Sequence, residues 1–288
     1  MKKITLLLLT ILCLTNYNCV SQNLKQICKS GFVNQKDYIT EIPFEYNKKH
    51  IFIKVNISNK EYNFIFDTGA AVTLIDQEIS KEIEYKFKKE GEASGSSISA
   101  QKNALIELPK VSISNIIFEN TYGMLLDLNF IKKDYENLKI DGVIGNNLMR
   151  KANWQIDFKN KVIRFTDKID LSSREHKKVE MHKENYGLSY LDIEINNTKH
   201  KFIFDTGSSG RFTANSSFVG NLKEEQKNSQ EAKQTFKIEK IRIGEIELTN
   251  QTILLEKGVS SLIGNGFFED YLLTIDWKKN ILYLLPNQ

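Results

Sequence analysis

The chain is poor in cysteine, in histidine and in long apolar runs, and its charges nearly cancel. Its three cysteines are Cys13, Cys19 and Cys28. The first two lie in or beside an N-terminal apolar segment, so removal of that segment leaves Cys28 alone. An internal disulfide is then excluded, even in an oxidising compartment. The apolar segment itself, Ile4 to Leu14 behind Lys2 and Lys3, is too short for a bilayer, which needs about 20 residues. It reads as a secretory signal over residues 1–21, with Cys19 and Ser21 at the small-residue positions and Gln22 as the first mature residue. The alternative, a lipidated Cys19, requires small apolar residues ahead of it, and Asn16-Tyr17-Asn18 fits that poorly. The expected location is therefore outside the cytoplasm: periplasmic or secreted, with membrane contact only if Cys19 carries lipid.

Lysine and arginine number 40 against 36 acidic residues, for a net charge of +4. Loss of Lys2 and Lys3 with the signal lowers this to 4 − 2 = +2, which gives no electrostatic case for a nucleic-acid partner. The charged runs Lys81 to Glu92 and Lys223 to Lys240 read as solvated surface. The histidines number four. His176 and His182 have no carboxylate or third histidine at ligand spacing, so neither a metal nor a cofactor is expected. His50 and His200 read as strand flanks. Gly207-Ser208-Ser209-Gly210 is not a nucleophile elbow, and no histidine lies near it in sequence to activate a serine.

What the chain does have is a repeat. Phe64-Ile65-Phe66-Asp67-Thr68-Gly69 returns as Phe202-Ile203-Phe204-Asp205-Thr206-Gly207. Upstream, Ile51, Ile53, Val55 and Ile57 alternate with other residues, as do Leu191, Ile193 and Ile195, the period of half-buried strands. Downstream, Val143-Ile144-Gly145-Asn146 matches Leu262-Ile263-Gly264-Asn265, and Ile156-Asp157-Phe158 matches Ile275-Asp276-Trp277. The triplets are offset by 138 (205 − 67) and the later elements by 119 (264 − 145). The second half is thus shorter by 19 residues (138 − 119), lost between its triplet and its Leu-Ile-Gly. Such duplication dictates two homologous lobes, for which 288 residues are ample.

The expected architecture is all-β, with two barrel-like lobes. A polar lead-in, residues 22–41, precedes a first lobe from Ile42 to Phe165. A charged connector spans residues 166–185, and a second lobe runs from Tyr186 to Leu284. Strands are expected at Ile51 to Ile57, Tyr62 to Phe66, Val72 to Ile75, Ala104 to Leu108, Val111 to Ile113 and Tyr122 to Leu128. Hairpins are expected at Trp154 to Phe165 and Leu273 to Leu284. Short helices are expected at Asn147 to Lys151, Gly266 to Tyr271 and Asp76 to Glu82. Trp154 and Trp277 read as core.

An aspartate at the end of an apolar strand, followed by Thr-Gly, sits on a tight turn where glycine allows unusual dihedrals or close backbone approach. Two such turns related by an approximate twofold would bring two carboxyls together, and one proton would then be shared between them. The ionised member can activate a water while the protonated member polarises a carbonyl.

With its paired Asp67-Thr68-Gly69-Ala70 and Asp205-Thr206-Gly207-Ser208, and the hydrophobic-hydrophobic-Gly elements at Gly145 and Gly264, the chain resembles the aspartic proteases, the clan of pepsin and the retroviral proteases. The resemblance runs over residues 42–284. It implies a bilobal acid-protease fold with its active site between the lobes, and an endopeptidase in which Asp67 and Asp205 are the catalytic pair. Thr68 and Thr206 would lock the loops, Gly69 and Gly207 would donate N–H groups to the carboxylates, and each hydrophobic-hydrophobic-Gly element would pack beside its aspartate loop. It also implies a flap from the first lobe, for which Glu90 to Ser97, with Ser94, Gly95 and Ser96 at its tip, is the candidate. The second lobe, with Asn221 to Gln234 in the corresponding region, would lack a long flap. No tyrosine sits at that tip; the nearest aromatics are Tyr85 and Phe87. The short second lobe and Ala70 are closer to the retroviral branch, whose members must dimerise, but this chain supplies both lobes and is expected to act as a monomer on peptides or proteins. Residues 22–41 are shorter than an inhibitory prosegment, so no zymogen is expected. Ser208 can favour ionised Asp205 whereas Ala70 offers Asp67 no hydroxyl, which predicts a mildly acidic optimum. A silent peptide-binding module or a structural envelope protein on the same fold is the alternative.

Overall fold

A computed structural model describes residues 25–95, 98–135, 137–171, 175–183, 187–215 and 233–287. The signal segment, Cys19 and Ser21 lie outside the described residues.

Each lobe is a ring of six strands. In the first lobe the order around the ring is Ile116–Leu126, Thr73–Asp76, Gly142–Ile144, Lys60–Phe66, His50–Ile57 and Ile98–Ile113, and pairing of the last with the first closes it. The second lobe repeats this with Ile246–Glu256, Phe212–Asn215, Leu262–Ile263, Thr198–Phe204, Ser189–Ile195 and Lys233–Ile243. Alternation accounts for the strands: in Ser189–Ile195 every second residue is buried. The hairpins at the same place in both lobes turn through two residues of positive φ, Ser58-Asn59 and Asn196-Asn197. That is the turn whose twist suits adjoining strands.

A six-stranded antiparallel sheet joins the lobes, in the order Ile39–Pro43, Val162–Thr166, Asn153–Asp157, Tyr271–Asp276, Ile281–Pro286 and Lys177–Lys183. At its centre Trp154 pairs with Ile275, Gln155 with Thr274 and Ile156 with Leu273. Gln155 and Thr274 are repeat equivalents (155 + 119 = 274), so the pseudo-twofold axis passes through this pair, where Gln155 Nε2 donates to Thr274 Oγ1 at 2.9 Å. The principal apolar core runs through both lobes and includes Trp154 and Trp277.

The structure departs from expectation in four places. The lead-in is part of the fold: residues 25–29 are helical, Phe32–Val33 pairs with Phe118 and Glu119, and Ile39–Pro43 forms an edge of the joining sheet. The connector contains the strand Lys177–Lys183, whose short alternation at Val179 and Met181 is masked in sequence by its charges. Ala104–Leu108 and Val111–Ile113 belong to one strand, Ile98–Ile113, continuous across Pro109. A short helix, Asn129–Lys132, was not expected.

The 19-residue difference is also distributed otherwise than the sequence suggests. Leu74 and Thr213 occupy equivalent positions, paired with Val143 and Leu262, and their parallel partners are Met124 and Leu254. The offset there is 130 (254 − 124), so 130 − 119 = 11 residues are lost after those strands. In the first lobe that place holds the loop carrying Asn129–Lys132 and Tyr135.

Candidate active site

The two triplets are brought together by the strands that precede them. Phe64-Ile65-Phe66 runs parallel to Gly142-Val143-Ile144, and Ile203-Phe204 runs parallel to Leu262-Ile263. The ladders extend one step further, Asp67 N donating to Ile144 O at 3.1 Å and Asp205 N to Ile263 O at 3.0 Å. Each aspartate is therefore delivered at a strand end with its backbone pinned by the hydrophobic-hydrophobic-Gly element.

The loops then cross-link. Thr68 N donates to Thr206 Oγ1 at 3.0 Å and Thr206 N to Thr68 Oγ1 at 2.9 Å. Thr68 Oγ1 donates to Phe204 O at 2.7 Å, and Thr206 Oγ1 to Phe66 O at 3.0 Å. Each threonine is thus donor and acceptor across the lobe boundary, a double role that its hydroxyl fills through a single oxygen. Behind them, Asn146 Nδ2 donates to Thr68 O and Asn265 Nδ2 to Thr206 O, both at 2.6 Å. The repeat marks these asparagines in sequence but does not disclose that role.

Gly69 N donates to Asp67 Oδ1 at 2.7 Å and Gly207 N to Asp205 Oδ1 at 2.9 Å. The glycines are needed for close approach rather than for dihedral freedom, since neither has positive φ. A Cβ on Gly69 would lie 2.5 Å from Asp205 Cγ, and one on Gly207 would lie 2.2 Å from Asp67 Cγ. Each loop therefore packs its glycine against the opposite carboxyl.

Asp67 and Asp205 are fully buried, and among the described residues no other group donates to the Oδ2 of either. Burial raises both carboxyls, Asp67 well above the ordinary range and Asp205 to about 6. The charge of Asp205 adds to the rise at Asp67, while the Gly69 and Gly207 N–H groups pull in the other direction. Two carboxyls in mutual contact hold a proton between them more tightly than either would alone.

Ser208 does not play the part expected of it. Its hydroxyl accepts from Gly210 N at 3.3 Å. It closes its own loop instead. Ser94 and Gly95 end the strand Lys86–Gly95, where Gly95 pairs with Ile98. Ser96 lies outside the described residues, as does most of the corresponding segment of the second lobe, 216–232.

Two site residues escaped the sequence reading. His50 Nε2 lies 2.9 Å from Gly207 O, and Tyr135 Oη lies 2.5 Å from His50 Nδ1. Nothing in the local pattern of a histidine opening a strand signals a contact 157 residues away.

Residues 53–148 match the model of the aspartyl protease family. No curated protein matches the chain in a sequence comparison. Among solved structures, basic 7S globulin from soybean is similar at a TM-score of 0.59 and 10% identity, over 88% of this chain and 96% of that one. At that identity the likeness is one of fold. The stretch holding Asp67 therefore matches the aspartyl proteases, and the described residues form the bilobal acid-protease fold, with two homologous lobes and the aspartate pair between them.

Proposed function

We propose that the protein is an aspartic endopeptidase in which Asp67 and Asp205 hydrolyse peptide bonds through an activated water. The observation that carries this reading is the pair itself: two buried carboxyls in mutual contact, each with Oδ1 bound by its own glycine and, among the described residues, no cation or other donor on Oδ2. Keeping a buried carboxyl pair with a single shared proton is costly for a protein that only binds or only builds.

In the reaction the ionised member of the pair takes a proton from water as the oxygen attacks the scissile carbonyl. The protonated member donates to the carbonyl oxygen, which gives a neutral tetrahedral diol. Collapse returns one diol proton to the pair, breaks the C–N bond and protonates the leaving amine, so the pair ends with the single proton it began with. Neither covalent intermediate nor metal is required. Both carboxyls have no solvent exposure in this structure, so a substrate reaches them only when covering segments move. The Lys86–Gly95 and Ile98–Ile113 hairpin is the proposed flap. The proposed setting is extracytoplasmic, after removal of residues 1–21, with the single chain supplying both aspartates and a peptide or protein as substrate.

The test is cleavage of a random peptide library from about pH 3 to 8, with Asp67→Asn, Asp205→Asn and a statine-type inhibitor as controls. Wild-type cleavage that falls by at least about a thousandfold in either variant and is blocked by the inhibitor supports the reading. A folded wild type that cleaves nothing overturns it in favour of a silent peptide-binding module.

A further inference from the structure

His50 opens strand His50–Ile57 and is 2% exposed. Its partner Gly207 O is a carbonyl and can only accept, so Nε2 must carry the hydrogen. In a neutral imidazole Nδ1 is then the acceptor, and Tyr135 Oη donates to it at 2.5 Å. Burial, aided by Asp134, raises the Tyr135 hydroxyl, which keeps its proton available for that bond. The result is a directed chain, Tyr135 O–H to His50 Nδ1 and His50 Nε2–H to Gly207 O. It runs from the first lobe into the loop whose glycine binds Asp205 and abuts Asp67.

Both ends of this chain are anchored. The turn before His50 docks on the second lobe, where Asn265 Nδ2 donates to Lys49 O at 2.7 Å and Tyr46 Oη donates to Glu269 Oε2 at 2.9 Å. The loop carrying Tyr135 is fixed by buried Ile131 and by Lys132 Nζ, 2.7 Å from Asp76 Oδ2.

The repeat shows that the chain is an addition to one side. The equivalent of His50 is Leu188 (50 + 138 = 188), also buried but without a polar atom. Tyr135 lies in the loop that the second lobe shortens, where only residues 257–261 separate Glu256 from Leu262. Among the described residues the His50–Tyr135 bridge has no counterpart built on Leu188, whose side chain cannot hydrogen-bond, so the bridge is not part of the scaffold common to both lobes.

We propose that His50 is a positioning residue for the aspartate pair: held as the Nε2–H tautomer by Tyr135, it fixes the Gly207 carbonyl and so seats the Asp205 loop against Asp67. This rests on the hydrolytic reading above. The two aspartate loops then differ in one brace: at the position where His50 reaches the Asp205 loop by a hydrogen bond, the other lobe places the apolar Leu188.

The experiment compares His50→Leu, the residue the other lobe uses, with His50→Gln, whose amide can still donate to the carbonyl, and with Tyr135→Phe. A misplacement of about 1 Å can cost a hundredfold in rate. His50→Leu should therefore lower kcat by about tenfold to a hundredfold with KM changed by less than about threefold. His50→Gln should recover most of the loss, and Tyr135→Phe should fall between. Nitrogen NMR of the wild type should show one neutral His50 tautomer protonated at Nε2. Wild-type kcat in His50→Leu, equal losses in His50→Leu and His50→Gln, or the other tautomer would each overturn the proposal. If the wild type cleaves nothing, the hydrolytic reading fails separately. Carboxyl NMR titration of Asp67 and Asp205 then decides: a shifted titration in His50→Leu that His50→Gln restores supports the brace, and an unchanged one overturns it.

Discussion

At the scale of single residues, the site is a set of reciprocal substitutions of protein for water. The threonine hydroxyls each take one N–H and give one hydrogen across the lobe boundary, and all four residues involved are buried. Thr68→Ala would strand Thr206 N–H and Phe204 C=O; Thr206→Ala would strand Thr68 N–H and Phe66 C=O. An unsatisfied buried group costs about 1–3 kcal/mol, so either change should lower unfolding free energy by about 2–4 kcal/mol. Thr68→Ser and Thr206→Ser keep the hydroxyl and should cost about 1 kcal/mol or less. Urea unfolding measures the contrast, and equal losses for alanine and serine would contradict the hydrogen-bond account.

At the scale of elements, strands of modest individual stability gain from being paired on both sides. The edge strand Ile39–Pro43 hydrogen-bonds along Val162–Thr166 and buries Ile42, while upstream Ile27 packs beside Ala71 and Leu188. Deletion of residues 22–43 would leave Val162–Thr166 as an unprotected edge, a template for association with other chains. The expected outcome is a lower urea midpoint and concentration-dependent aggregation in light scattering. A truncated chain with an unchanged midpoint would show that the lead-in is dispensable. The Lys177–Lys183 strand plays the matching part at the other edge, where it pairs with both Ile281–Pro286 and Ser189–Ile195.

At the scale of the whole molecule, the buried pair links stability to pH. Burial pushes both folded carboxyls above their unfolded values, Asp205 up to about 6 from the ordinary carboxylate value near 3.8. Between those values the folded protein binds more protons than the unfolded chain, so stability falls as pH rises through that window. Asp205→Asn removes the buried charge. It should raise Tm relative to wild type at pH 7 and lose that advantage near pH 4, as thermal unfolding by circular dichroism would record. The reverse trend would mean that the carboxyl is stabilised, not penalised, by its surroundings. For the proposed hydrolysis, the same rise in both carboxyls predicts a mildly acidic rather than strongly acidic optimum, with burial as its main cause.

The sequence by itself determined the duplication, the two all-β lobes, most strands and the two aspartate loops. These are written in local signals: alternation of period two, a triplet ending an apolar run, and a second copy at constant offset. The roles expected of Thr68, Thr206, Gly69 and Gly207 came from the resemblance to the aspartic proteases rather than from the local pattern. Tertiary structure alone decided which strands build the joining sheet, because a strand's pattern states which face is buried but not which neighbour it pairs with. It turned Ser208 toward Gly210, a choice among nearby donors and acceptors that only geometry makes. It placed most of the shortening of the second lobe outside the flap region. And it set His50 against Gly207, a contact between lobes whose partners share no local pattern, since only the packing of the two halves brings them within 2.9 Å.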